Sequence, residues 1–488
     1  MFNLYKKSGI TMIALVVTII ILLILASIVT SIITKTNIIK RTTDAKNTYL
    51  SSQSNEMSQI LSISNEIDTI VSNNNNDYSK EFIWLKNNQM LTNSDNISNY
   101  NNIYPGITTG TMFLNYNIND SNIYNARDLQ IATSQIALSY LYAYSKSNDI
   151  QYLEKAKSIA DNLINNIEFK KDYAHSSSDT PVELACFPSQ TKMNDGRWTY
   201  SSDFESSPNG SLIFCKVLID ISNITGDSKY ATEALKVIDS WIFIQEKLGN
   251  GALPSSIYYA KLAWGEGMWP IWTQLPLDIA YSVYIAGNSA YKYTNDNKYK
   301  KFVDDYFNFT YNSFESNFGT FTFEKNGKNY VLPYEYIYKN DDGSLIGVNN
   351  SNQDNSFSVN NDITTDQLFY IELGLALYDS NSKYSIEFMN TINELQFDNG
   401  QFWGEYTKLG EKGSFIETTV ELVNSGFYIK LKKILNQNDN IDNIKSMLLS
   451  LQKKSSNVNV NGAWTWSADS NSFVIESLAT AVLLEEIY

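Results

Sequence analysis

DGRW at 195–198, NGAL at 250–253, FGTF at 318–321, NGQF at 399–402 and NGAW at 461–464 are five copies of one short turn: a lead residue, glycine, any residue, then a large apolar side chain. Their glycines lie 55, 68, 81 and 62 residues apart. One pair of helix-patterned segments falls between most neighbours, which marks a structural repeat. The pairs are joined by short polar turns (SKSND, TGDS, TNDN, NSK, NQNDN), and successive pairs by long aromatic-rich loops. An array of hairpins therefore has one elaborated face, and function is expected there.

Helix periodicity predicts a segment at 79–91, pairs at 126–146 and 150–168, 208–225 and 228–248, 274–294 and 297–316, 362–379 and 383–396, 416–436 and 440–453, and a last segment at 470–487. The first member of each pair, such as DLQIATSQIALSYLYAY, is nearly uncharged all round and reads as an inner helix. The second, such as YLEKAKSIADNLINNIE, is amphipathic and reads as an outer one. If the first and last segments pair, six hairpins close a ring. The predicted fold class is all-α, an (α/α)6 toroid of helical hairpins preceded by a long N-terminal transmembrane or pilin-like helix.

The chain has 488 residues, 43% of them hydrophobic, enough for one large domain and an appendage. A net charge of −15 without a basic run argues against nucleic acid and is compatible with neutral glycans. With one histidine and two cysteines, no zinc or haem spacing exists, and no cofactor or metal is expected. Cys215, in the run LIFCKVLI, reads as a small buried hydrophobe. A pairing with Cys186 outside the cell stays open.

Residues 10–33 are 24 uncharged, mostly apolar positions, about 36 Å as a helix and long enough to span a bilayer. Residues 35–77 read as a helical stalk ending in an Asn-rich linker, followed by a domain at 78–488. KKSGITMIALVVTIIILLILA resembles a type IV prepilin leader, with a basic stub, Gly9 before the cleavage point and Thr11 after it. It departs from that family at Ala14, where the family has Glu. The resemblance implies an N-terminus inside and the large domain extracytoplasmic on a single-pass anchor in the cell membrane. Prepilin peptidase or pilin-like subunits are then possible partners.

Seven of the nine tryptophans lie in the long loops: Trp198, Trp264, Trp269, Trp272, Trp403, Trp464 and Trp466. Flat aromatic rings on a concave face suit the apolar faces of sugars, so a polysaccharide or oligosaccharide partner is expected. Acids at inner-helix starts or in these loops are Asp128, Asp203, Glu205, Glu266, Asp362, Asp366, Glu417 and Asp469. Asp362, Glu417 and Asp469 read first as helix caps. Glu266, in WGEGMWP, is enclosed by tryptophans as a general acid requires, and Asp366 lies one turn inside a nearly uncharged helix. This reading takes Glu266 as acid and Asp366 as base, with Asp128 in reserve. Arg127 and Arg197, the only arginines of the predicted domain, suit fork-like pairing with a carboxylate, and Tyr200 lies beside Arg197.

Residues 78–488 resemble the six-hairpin glycosidase superfamily, an alpha/alpha toroid. DIAYSVYIA at 278–286 and TTDQLFYIELGLALYD at 364–379 look like glycoside hydrolase family 8, whose catalytic base falls at Asp366. That family's acid opens an inner helix in Ser-Glu-Gly, where this chain reads SPNGS or ARDLQ. VLPYEYIY at 331–338 is similar to the carboxy-terminal domain of uronyl C5-epimerases. Three functions follow as expectations: a membrane-anchored glycan hydrolase, a uronic acid polymer epimerase or lyase, and a non-catalytic glycan-binding pilin-like subunit. Protease added to intact cells is expected to release the large domain. Protection of that domain along with a cytosolic marker would reverse the orientation.

Overall fold

The computed structural model describes residues 80–488 except 102–106, 120, 122, 125–130, 168, 174–181, 189–190, 195–196, 201–204, 263–264, 350–361, 398–399, 408–409, 413–418 and 469–472. The expected membrane helix and stalk lie outside the described residues. Among the described residues no helix is long and apolar enough to cross a membrane.

The helices are α1 (Ile83–Asn87), α2 (Ile97–Asn101), α3 (Ile131–Ser147), α4 (Ile150–Asn162), α5 (Pro208–Thr225), α6 (Ser228–Leu248), α7 (Ala280–Thr294), α8 (Asn297–Glu315), α9 (Thr365–Asp379), α10 (Lys383–Leu395), α11 (Leu422–Ile434), α12 (Ile441–Leu451) and α13 (Ser477–Ile487). Helices α3, α5, α7, α9, α11 and α13 form the inner ring. Each packs on the next, and α13 packs back on α3 to close it. A helix with neighbours on both sides and an outer partner behind it has no solvated face, which is why these segments carry so little charge. The short turns between partners are built as caps: Asp149, Asp227 and Asp296 accept the N–H groups of Gln151, Lys229 and Lys298 at the starts of α4, α6 and α8.

The repeated glycine turn follows an outer helix and docks the chain on the next one. Gly251, Gly400 and Gly462 all have left-handed backbones, at φ +86, +84 and +83. A Cβ on Gly400 would lie 2.7 Å from Ile444 Cδ1 of α12, and one on Gly462 would lie 2.7 Å from Ile83 Cγ2 of α1. Gly110, in TGTM, has the same conformation against α4 and is a further copy not recognised in the sequence. Gly319 of FGTF departs from the set, lying against Ser313 of the preceding helix. The apolar residue two places on is buried in each described case: Met112, Leu253, Phe321, Phe402 and Trp464.

The outer partner of α13 is short. The segment predicted at 79–91 is helical only over Ile83–Asn87. Phe82 meets the C-terminal Tyr488 edge-on at 6.0 Å, and the buried Trp84 donates from Nε1 to the Asn459 carbonyl at 3.2 Å, joining the two ends of the domain. The elaborated face is not purely loop. It carries small antiparallel sheets, such as Thr320–Lys325 with Lys328–Pro333 and Ile257–Leu262 with Gly265–Pro270. In TFTFEK, alternate side chains are buried, the two-residue period of a strand. Extended pairing also moves helix starts: 274–276 and 474–476, predicted as helix, are strands ahead of α7 and α13.

Gly462→Ala is expected to cost the left-handed penalty of about 1–2 kcal/mol plus an overpacking term of about 1–3 kcal/mol. Gly226, at φ +73 with nothing within 4 Å of its Cβ position, would suffer the first cost alone. Urea-unfolding midpoints of the two alanine variants measure the difference. Equal losses would mean that docking of the turn contributes nothing.

Candidate active site

Among the described residues the inner-helix N-termini open on the elaborated face, and acidic residues stand at those of α7, α9, α11 and α13. Asp278 precedes α7 by two residues, Asp366 is in the first turn of α9, and Glu421 and Glu476 are the capping residues of α11 and α13. At α5 the corresponding group is the Asn209 carboxamide, which accepts a hydrogen bond from Ser282 Oγ. The partial positive charge of a helix N-terminus accounts for carboxylates here. Glu476 is fully used in this way, taking the N–H groups of Leu478 and Ala479.

Asp366, Glu421 and Glu476 line one cavity of 160 Å³ together with Val423, Leu478, Ala479 and Trp466. Glu421 is fixed from two sides. Trp466 Nε1 donates to its Oε1 at 3.2 Å and Asn424 Nδ2 donates to its Oε2 at 3.2 Å. Trp466 is 38% exposed, so its ring meets both solvent and the cavity. A larger depression of 460 Å³ between α12 and 465–468 has no carboxylate among its described lining residues. Among the described residues no group of three or more His, Cys, Asp or Glu is arranged to hold a metal ion.

Behind Asp366 lies Asp278, only 6% exposed. Burial first, and the nearby Asp366 second, push its carboxyl up from 3.8 to about 7, while the Tyr336 hydroxyl pulls the other way. Its Oδ1 has no hydrogen-bond partner. One turn after Asp366, the Tyr370 hydroxyl is buried without a partner, and burial holds its pKa well above the usual tyrosine range.

The predicted site residues divide sharply. Asp366 and Trp466 meet in the cavity. Trp464 does not: it is fully buried, with Nε1 donating to the Leu448 carbonyl at 2.8 Å, because it is the apolar anchor of its turn and belongs to the core. Trp403 stacks on Phe397 at 4.6 Å with the Lys412 ammonium 4.2 Å from its ring centre, so it fastens its own loop. Trp269 is half-buried and edge-on to Tyr173 at 6.0 Å, and Trp272 packs on the core. Glu266 lies on the strand Gly265–Pro270, paired with Lys261, and Arg197, Trp198 and Tyr200 on the strand Arg197–Tyr200. The side chains of those four, and Arg127, Asp128 and Trp264 entirely, lie outside the described residues. Cys186 and Cys215 are both buried.

Sequence reasoning missed Asp278, Glu421 and Glu476. Asp278 opens the quoted stretch DIAYSVYIA, and the other two were concealed by helix starts placed about six residues early.

No family model and no curated protein matches the chain. Solved structures do resemble it. An unsaturated glucuronyl hydrolase specific for heparin aligns at a TM-score of 0.52 and 12% identity, covering 84% of this chain and 94% of the other. A D-mannose isomerase aligns at 0.51 and 11%, covering 84% and 96%. Cellobiose 2-epimerase from Bacillus thermoamylovorans B4167 aligns at 0.51 and 12%, covering 86% and 99%. These neighbours are alpha/alpha-toroid members of the glycosidase superfamily, and the chain shares their fold.

Folded, Asp278 keeps its proton up to about pH 7, whereas the unfolded chain releases it near 3.8. Stability contributed by this group therefore falls as pH rises between those values, by at most on the order of 4 kcal/mol. Asp278→Asn is expected to remove that fall, so the variant gains on wild type between pH 5 and 7.5 in urea unfolding. A constant difference across that range would contradict the buried acid.

Proposed function

We propose that this chain is a carbohydrate-processing enzyme that hydrolyses a neutral glycan in the cavity at the inner-helix N-termini, held on the outer side of a membrane by its N-terminal apolar segment. The observation that carries the reading is the meeting of Asp366, Glu421 and Trp466 in one cavity. Glycoside hydrolysis needs two carboxyl groups in different protonation states flanking one bond.

In this reading Asp278 carries a proton near neutral pH, because burial and the neighbouring Asp366 push its carboxyl up to about 7. Asp366 lines the cavity and passes that proton to the leaving glycosidic oxygen, with Asp278 as its source. Glu421, anchored by Trp466 and Asn424, takes a proton from the water that attacks the sugar carbon. The C–O bond breaks, one proton reaches the leaving hydroxyl, and one passes to Glu421. Asp366 thus serves as acid in place of the base expected from its sequence, and Glu421 takes the role expected of the partner carboxyl.

Charge supports a neutral substrate. The charged residues described around the cavity are carboxylic, and the chain carries −15 overall, so a polyuronate meets repulsion at both ranges. The exposed aromatics Trp466 and Phe473 fit a second reading, glycan binding without cleavage.

Full-length chain in detergent, incubated with neutral polysaccharides and one polyuronate, is expected to release sugar from a neutral polymer. Asp366→Asn and Glu421→Gln should each lower kcat by roughly 100-fold or more with little change in melting temperature. Wild-type rates in both would remove the assignment. Binding that Trp466→Ala weakens, with no cleavage of any polymer, would favour the second reading.

A further inference from the structure

The segment VLPYEYIY sends Leu332 and Ile337 into the core, yet between them it also buries a carboxylate completely, Glu335. A buried carboxylate is costly unless its oxygens are used. Glu335 Oε1 accepts from the Thr364 N–H at 2.7 Å. With its carboxamide turned NH2-inward, Gln367 donates to the same carboxylate at 3.0 and 2.8 Å. Both donors flank Asp366 in the chain.

The same residue also reaches the other helix. The Glu335 carbonyl accepts from the Leu277 N–H at 2.7 Å, one residue before Asp278, and its own N–H donates to Asn349 Oδ1 at 3.1 Å. Next along, Tyr336 pairs with Pro276 across the strands and turns its hydroxyl to the Asp278 carboxyl. A helix that needed only a cap would take one from its own capping residue, and Thr364 makes no side-chain capping bond. The cap comes instead from Glu335, 29 residues away and itself tied to the start of α7.

We propose that Glu335 is a positioning residue, clamping the first turn of α9 to the start of α7 and so fixing the separation of Asp278 from Asp366. The groups facing Asp278 are then Asp366 from α9, Tyr336 from the strand Tyr336–Lys339, which itself feels Glu335, and Tyr306 from α8, whose hydroxyl donates to the carbonyls of Pro276 and Leu277 at 3.0 and 3.1 Å. Glutamine at 335 would keep the volume but offer one acceptor oxygen to three donor contacts and turn an NH2 toward them. The first turn of α9 would then be free to shift against α7.

The proposal concerns the dyad used in the hydrolysis proposed above, but its test reads pH-dependent stability, so it can succeed or fail independently of glycan cleavage. Urea midpoints of full-length wild type, Asp278→Asn, Glu335→Gln and the double variant are measured at pH 5 and 7.5. Comparing each with and without Asp278 isolates that residue's contribution and cancels the titration of Glu335 itself. The expected result is that the pH-dependent shift due to Asp278 becomes measurably smaller in the Glu335→Gln background, the part due to burial remaining and the part due to Asp366 being lost. If Glu335 is a cap only, Glu335→Gln lowers the midpoint equally at both pH values and leaves the Asp278 shift intact, which overturns the proposal. Should Glu335→Gln not fold, Gln367→Ala with and without Asp278→Asn decides the matter. It removes one clamp contact and is expected to move the Asp278 shift in the same direction by less, and an unchanged shift there is equally decisive against the clamp.

Discussion

Ring closure is the constraint on which the rest of this molecule depends. Six inner helices are buried on every side only because α13 packs back on α3, and an outer partner that returns the chain after each of the first five keeps them all pointing the same way. Their N-termini then converge on one face, each with unsatisfied N–H groups and partial positive charge. Carboxylates answer that requirement at low cost, and Glu476 shows the purely structural version, with both oxygens committed to the α13 backbone. Asp366 and Glu421 use the same helix-end positions and line the same cavity as Glu476, but the Glu421 oxygens accept from the Trp466 and Asn424 side chains instead of the helix backbone. The site is a by-product of closing the ring, refined by Trp466 on one wall and by the buried Asp278 behind the other.

A charged network also ties the inner helices to one another. Lys430 of α11 is surrounded by Glu485 at 3.3 Å and Glu486 at 3.6 Å from α13, with Tyr281 of α7 against it, while Gln135 of α3 donates to Glu485 at 3.0 Å. Such a network is worth little as net stability, but an unpaired buried lysine would be costly, so it pins four inner helices in one arrangement. The rings of Tyr370 from α9 and Phe427 from α11 meet at 5.1 Å.

Much of this architecture was legible in the sequence because burial on all sides and burial on one side leave different charge patterns. The pairs α5/α6 and α9/α10 match their predicted spans closely for that reason. The glycine turns were legible as a repeat, but their meaning was not: the apolar fourth position is an anchor in the core, so Trp464 shares the environment of Leu253 and Phe402 and was never available to a sugar. Position in the motif carried that signal. The elaborated face was harder to read. Periodicity does not distinguish a strand such as Val474–Glu476 leading into a helix from the helix itself, and this displaced the expected starts of α11 and α13 away from Glu421 and Glu476. Asp278 carries no local mark either, since its proton depends on burial and on Asp366, 88 positions along the chain.

The central claim is that a glycan is processed between carboxyl groups at the inner-helix N-termini. A crystal structure of the Asp366→Asn variant with a neutral oligosaccharide tests it most directly. The account predicts sugar in the cavity between positions 366 and 421, with one ring against Trp466. Sugar bound elsewhere on the domain, with that cavity containing only solvent, would contradict it.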